Sequence, residues 1–404
     1  MYDEYMTHPA SKEKLDGTVT VWSNSYGTPT GYGVQAQYLV DRLVKHGANT
    51  AMLSNYGHQG QIKQLETKHG KIDHFPMGSS AYSQDVAALD HMSFASRFPK
   101  NDLMITLYDV WVLNSPHYEK IDKIASWTPL DHVTMPKKVE AWLHRANVLP
   151  ISMSPFGQRE MDSRGIENAY IPHGIETKIL KPTELLPTGQ HIRDYMHTKD
   201  KFVVGMVAAN KSTGMVHRKA FSENILAFSI FHKKHPDSVL YVHTDPLALG
   251  MGWNLVELVR ACGIPQDSVI FPNPQEYRYG IPQEQLAAVY TGMDVLLATS
   301  YGEGFGVPTV EAQACGTRVI GSNWAATQDL VSEDSWLVDG QPQWDSAQAC
   351  WWQIPTVPSI VNALEQAYDA GQEKSEVARK FAKQFDVDKV WYENWMPFLK
   401  KQLA

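Results

Sequence analysis

The sequence predicts an α/β protein of two tandem domains, each built on a doubly wound parallel sheet, and three observations carry that expectation. The chain has 404 residues, room for two domains at roughly 150 residues each. Short β-rich apolar runs alternate with stretches of helical spacing over most of its length. That alternation restarts after a Pro- and Gly-bearing interruption near the middle.

The first run, residues 19–22, breaks into the turn-forming stretch SNSYGTPTGYG. Val34, Tyr38, Leu39 and Leu43 then recur at helical spacing, and Gly47 supplies the stop just past the helix end. A second run at 50–53 completes a βαβ unit, the opening of a doubly wound sheet. Further runs at 103–107, 123–127, 148–152 and 169–171 extend this first domain over residues 1–178. Residues 179–200, with Pro182, Pro187 and Gly189, read as a linker or a peripheral helix. Runs at 202–207, 239–243, 268–271, 294–298 and 318–320 give a second domain over 201–385. The end of the chain, 386–404, reads as an amphipathic closing helix. Val390, Trp391, Trp395, Phe398 and Leu399 form one stripe, which must be buried somewhere.

The formal charge of −8 argues against a dominant nucleic-acid footprint, which needs concentrated basic residues. Three scattered cysteines, Cys262, Cys315 and Cys350, suit neither a disulfide framework nor a zinc site and fit a reducing compartment. The opening MYDEYMTHPA carries acids where a signal peptide carries basic then apolar residues. The longest mostly apolar run, 202–209, falls short of the ~20 residues of a membrane span. A cytoplasmic protein is the expectation.

Gly31-Tyr-Gly33-Val-Gln-Ala36 matches the dinucleotide fingerprint G-x-G-x-x-G/A between a strand and a helix. A nicotinamide reading also needs an acid closing the second strand, and that strand ends Leu53-Ser54-Asn55-Tyr56. The glycines then read as a loop that lets backbone approach a ligand, or as a plain tight turn. Asp386-Val-Asp388 has the form of a metal-binding D-x-D. Its place directly before the last helix assigns it instead to capping.

The densest signal is Ser300-Tyr-Gly-Glu303-Gly-Phe-Gly-Val-Pro308-Thr-Val-Glu311-Ala-Gln-Ala-Cys-Gly316. A strand ends in a loop of alternating glycines, and Pro308 suits the first turn of a helix. Such a junction presents bare N–H groups and the positive end of a helix dipole to an anion. Glu303 sits in the loop and Glu311 on the helix, so one carboxylate can face a ligand while the other reaches hydroxyls beside a bound phosphate. The small residues Ala312, Ala314 and Cys315 read as close packing on a sheet.

This stretch resembles the signature of the family-4 retaining glycosyltransferases of group 1 type, which have the GT-B fold. The resemblance extends over residues 17–385. Ala169-Tyr-Ile-Pro-His173-Gly, Ser152-Met-Ser-Pro-Phe-Gly, Asn210 with Arg218-Lys219-Ala-Phe, and the run LAAVYTGMD at 286–294 all resemble family segments. It implies two facing Rossmann-like domains with a cleft between them and a last helix that crosses back onto the first domain. It implies a nucleotide-sugar donor as substrate, no cofactor, no obligatory metal, and front-face transfer with retention of configuration. Glu311 would hold ribose hydroxyls, and Glu303 the donor sugar. Gly304, Phe305, Gly306, Val307 and Thr309 would cradle the sugar edge and distal phosphate. Lys219 and Arg218 would neutralise the leaving diphosphate, with Asn210 in the same element and Lys211 the alternative to Arg218 for the family arginine. Gly31 and Gly33 would face the diphosphate from the first domain, and His173 would line the cleft. A supporting histidine follows a first-domain strand in many relatives; here the match is displaced, leaving Asp131 and His132 as candidates beside a packing role. A GT-B epimerase or phosphorylase, or a non-catalytic nucleotide-sugar-binding protein, is the alternative. The acceptor stays open among saccharide, lipid, protein and modified nucleobase, and so does peripheral membrane contact.

Overall fold

The computed structural model describes residues 9–98, 101–212, 214–248 and 251–404. The chain divides into two compact units: residues 1–130, 134–174 and 387–404 form one, and 131–133 with 175–386 the other.

The first unit is an eight-stranded sheet. Its strands are β1 (Thr18–Asn24), β2 (Asn49–Tyr56), β3 (Lys63–Thr67), β4 (Gly70–Phe75), β5 (Asp102–Leu107), β6 (Ile124–Thr128), β7 (Val148–Ser152) and β8 (Ala169–Tyr170). Their spatial order is β3-β4-β2-β1-β5-β6-β7-β8, with only the β3–β4 pair antiparallel. Every residue of β1 and β6 is buried, as in strands covered on both faces. The helix Gly31–Lys45 follows β1. Thr30 caps it by accepting from the Gly33 amide, and Gly47 takes φ 86° just beyond its end. The antiparallel β3–β4 hairpin has no counterpart in the sequence reading, because its residues are mostly charged or polar and show no apolar run.

The second unit holds a six-stranded all-parallel sheet ordered β11-β10-β9-β12-β13-β14. Its strands are β9 (Phe202–Val207), β10 (Ser238–His243), β11 (Val269–Ile270), β12 (Val295–Ala298), β13 (Arg318–Ser322) and β14 (Trp336–Val338). A core of Val204, Leu240, Val295, Ile320, Phe221, Phe228, Phe231 and Leu364 packs the helices Phe221–Lys234 and Val357–Asp369 onto it. A separate antiparallel hairpin of β15 (Gly340–Asp345) and β16 (Cys350–Pro355) follows β14. Within residues 179–200 the short helix Ile192–Tyr195 packs in this unit: Ile192 is buried, and Arg193 pairs with Asp294 at 2.5 Å.

The closing stretch runs through a helix at Val387–Val390, a π-helical turn at Trp391–Trp395 and a helix at Met396–Leu403. Its apolar stripe is buried within the first unit, with Phe398 half-buried. Trp395 meets Trp127 edge-on at 4.9 Å between ring centres, and Trp391 lies 5.3 Å from His46. Of the two aspartates before and within it, Asp386 accepts from Thr177, and Asp388 pairs with Arg42 at 2.5 Å. Among the described residues no helix is long and apolar enough to cross a membrane. Trp395→Ala is expected to lower stability by about 3–5 kcal/mol, the cost of emptying a buried aromatic site. Urea unfolding followed by intrinsic fluorescence checks this.

Candidate active site

The site forms in the second unit, where β12 ends. Ser300 to Gly306 make the loop, and the helix Val307–Ala314 begins immediately after it. Gly306 occupies the N-cap at φ 94°, a conformation that a side chain would strain, and no side-chain hydrogen bond caps this helix. Its start presents the positive end of the helix dipole to an anion. The loop is held by its neighbours: Ser322 donates to the Ser300 carbonyl at 2.6 Å, the Tyr301 amide donates to the Arg218 carbonyl at 2.8 Å, and the Tyr301 hydroxyl donates to Glu223 at 2.7 Å.

Glu303 sits between two cations. Lys219 pairs with one carboxylate oxygen, and Arg218 approaches the other at 3.1 Å while also donating to the Gly302 carbonyl. Burial alone would push this carboxyl up, but Lys219 and Arg218 outweigh it and hold Glu303 down at about 2. Lys219 is pulled below the usual lysine value by burial, with Glu303 opposing. The sequence left the family arginine open between Lys211 and Arg218. Arg218 is the one that reaches Glu303, whereas Lys211 is exposed and its amide bonds Ala209.

Asp131 and His132 join the same cluster, because residues 131–133 pack with the second unit. Asp131 lies 3.8 Å from Arg218 and bonds His132 Nδ1 at 2.6 Å. His132 Nε2 faces Asp345 of β15 at 3.1 Å, and Trp352 stacks on the imidazole with 4.8 Å between ring centres. The approach is so close that a Cβ on Gly302 would lie 2.0 Å from the Asp131 carbonyl oxygen.

Glu311 accepts from the Tyr290 hydroxyl at 2.8 Å. Burial pushes its carboxyl up to about 7, with the Tyr290 bond opposing. Thr309 is buried, with its amide donating to the Gly306 carbonyl at 2.9 Å. Phe305 is buried edge-on against Phe385 at 5.5 Å, so its side chain anchors the loop and its backbone, with that of Gly304 and Val307, is what the loop presents. A cavity of about 480 Å³ opens along the β10–β11 edge of the same sheet, lined by Tyr241, His243, Phe271, Asn273 and Gln285 among others.

Three further expected residues are held as follows. Asn210 is expended on its own loop. Its amide donates to the Asp245 and Trp253 carbonyls at 3.0 and 2.8 Å, and its oxygen receives the Trp253 amide at 3.0 Å. Gly33 lies in the first unit, where a Cβ would meet the Thr28 carbonyl at 2.3 Å, so close packing accounts for that glycine; Gly31, at the same helix start, has open space around it. His173, also in the first unit, is buried edge-on to Trp127 at 4.5 Å, and burial drops it to about 3, which keeps it neutral. Sequence reasoning missed Tyr290, Asp345 and Trp352. Tyr290 lies in the LAAVYTGMD run and was legible as a neighbour of Glu311's helix, whereas nothing local marks Asp345.

An all-parallel α/β unit with this loop and a mostly parallel α/β unit in the same chain are the components of the GT-B fold. The solved structures similar to the chain agree. Sucrose-phosphate synthase from Thermosynechococcus elongatus superposes with TM-score 0.73 at 16% identity, covering 96% of this chain and 99% of that one. An α,α-trehalose 6-phosphate synthase from Burkholderia multivorans gives 0.70 at 12%, covering 96% and 99%. Residues 191–352 match the family Glycosyl transferases group 1. Among curated relatives, a D-inositol 3-phosphate glycosyltransferase from Corynebacterium efficiens is 34% identical over 25% of this chain and 23% of its own length. Another, from Corynebacterium jeikeium, is 34% identical over 52% and 57%. The chain thus spans from under a quarter to somewhat over half of these relatives' lengths.

Two outcomes follow. A raised carboxyl binds more protons folded than unfolded, so Glu311 lowers stability progressively as pH rises from the ordinary glutamate range, near 4.5, through about 7. Glu311→Gln is therefore expected to gain melting temperature relative to wild type between pH 5 and pH 8, as a thermal-melt series would measure. Gly302→Ala is expected to cost about 2 kcal/mol by overpacking residues 131–133 against the loop, read as a lower urea midpoint.

Proposed function

We propose that the protein transfers a glycosyl group from a nucleotide-sugar to an acceptor hydroxyl. The observation that carries this reading is the convergence of Arg218 and Lys219 on Glu303 at a glycine loop that opens an uncapped helix. Two fixed cations and the positive end of a helix dipole suit a diphosphate, and two carboxylates, Glu303 and Glu311, suit sugar and ribose hydroxyls.

In the reaction we infer, the bond between the anomeric carbon and the diphosphate oxygen breaks, and its electron pair leaves with the diphosphate. Arg218 and Lys219 stabilise the charge that gathers there, the electrostatic term that usually dominates. The acceptor oxygen attacks the face from which the diphosphate departs and passes its proton to a leaving-phosphate oxygen, so configuration is retained and no protein nucleophile is used. Because side chains supply the positive charge, the reading includes no metal. Glu311, poised near 7, takes the ribose hydroxyls, and the 480 Å³ cavity, of ordinary ligand-pocket size, takes the base. Solved neighbours bound to UDP or to UDP-2-fluoro glucose favour a uridine diphosphate donor. Relatives named for D-inositol 3-phosphate favour a phosphorylated polyol acceptor.

Thermal-shift measurements across nucleoside diphosphates and nucleotide-sugars are expected to single out one base, since a ligand bound only by the folded state raises its melting temperature. Glu311→Ala is expected to reduce that shift and to abolish transfer to a panel of inositol and hexose phosphates. Wild-type donor affinity and turnover in this variant, or release of epimerised nucleotide-sugar without acceptor, would overturn the proposal.

A further inference from the structure

We propose that Asp345 is a positioning residue of the transfer centre: by holding one nitrogen of His132 while Asp131 holds the other, it fixes Asp131 beside Arg218 and makes the β15–β16 hairpin part of that centre.

The geometry begins with donors and acceptors. His132 Nδ1 lies 2.6 Å from Asp131 and Nε2 lies 3.1 Å from Asp345. Ionised carboxylates only accept, so both contacts are hydrogen bonds only when both ring nitrogens carry protons. His132 is thus an imidazolium clasped at both ends, and the two carboxylates raise its titration although burial opposes them. The groups that face this pair from the packed elements are Arg218 and, beyond it, Glu303 and Lys219 on the loop side, with Cys350 on the hairpin. Burial pushes the Cys350 thiol up to about 12, so it adds no charge. Asp131, Asp345 and Glu303 then stand against His132, Arg218 and Lys219, a balance that loss of Asp345 would leave one negative charge short.

The hairpin is also clamped mechanically. Val133 and Trp351 exchange backbone hydrogen bonds at 3.0 and 2.6 Å, and the Gln353 amide donates to the Tyr301 carbonyl at 3.0 Å. With Trp352 stacked on His132, the hairpin touches both residues 131–133 and the loop that carries Glu303. Asp345 touches neither Arg218 nor Glu303 among the described contacts, so it acts through His132.

The kinetic part rests on the transferase reading; the spectroscopic part does not. The full-length chain, labelled with 15N-histidine, is titrated by NMR as wild type, Asp345→Asn and Asp345→Glu, with the His132 signal assigned from its loss in His132→Gln. The expected result is a His132 titration in Asp345→Asn at lower pH than in wild type and largely restored in Asp345→Glu. Turnover in Asp345→Asn is expected to fall about tenfold with donor KM unchanged, the size of a lost charge-assisted hydrogen bond, and to fall further as pH rises through the imidazole range. Unchanged His132 titration and unchanged rates in Asp345→Asn would overturn the proposal. If Asp345→Asn loses near-ultraviolet circular dichroism, Asp345→Glu decides alone: a folded Glu variant whose His132 titrates as an ordinary imidazole overturns it. A wild type without turnover but with the NMR shift refutes the transferase reading while leaving the hold of Asp345 on His132 established.

Discussion

The candidate site depends on one arrangement, the Glu303 carboxylate held between Lys219 and Arg218. Taking three charges partly out of water costs free energy, and each offsets part of that cost for the others. That mutual dependence explains the neighbours. Tyr301 ties its amide to the Arg218 carbonyl, Arg218 reaches back to the Gly302 carbonyl, and Gly302 lacks a side chain because the Asp131 carbonyl occupies that space. The loop is a cradle whose shape is set by the ion pairs, and its glycines are the positions where backbone must approach closely.

The same arrangement separates the roles of the two glutamates. Glu303 lies among cations and stays ionised far below neutral pH, whereas Glu311 meets a phenol and a dry surround and titrates near neutrality. One carboxylate is committed to charge, and the other can switch between accepting and donating hydrogen bonds. For a ligand that joins a diphosphate to hydroxylated rings, that difference is useful on chemical grounds.

Much of the fold was legible because parallel strands buried on both faces are written as continuous apolar runs: residues 50–53, 103–107, 148–152 and 318–320 all lie in strands. The β3–β4 and β15–β16 hairpins were not legible, since their strands mix polar and aromatic residues without a run. Asn210 shows a further limit. Its type suits ligand binding, and only the surrounding backbone reveals that Asp245 and Trp253 use its amide.

By itself the sequence determined the class of fold and the local frame of the site: the strand, the glycine loop, the helix start at Pro308, and the spacing of Glu303 and Glu311. These are properties of contiguous residues, governed by backbone conformation and helical periodicity. Only the tertiary structure decided which charges meet. The Arg218 and Lys219 side chains lie 84 or more positions from the loop atoms they bond, and Asp345 lies 213 positions from His132. No local pattern encodes such pairs, because their energies arise when distant segments exclude water around shared charges.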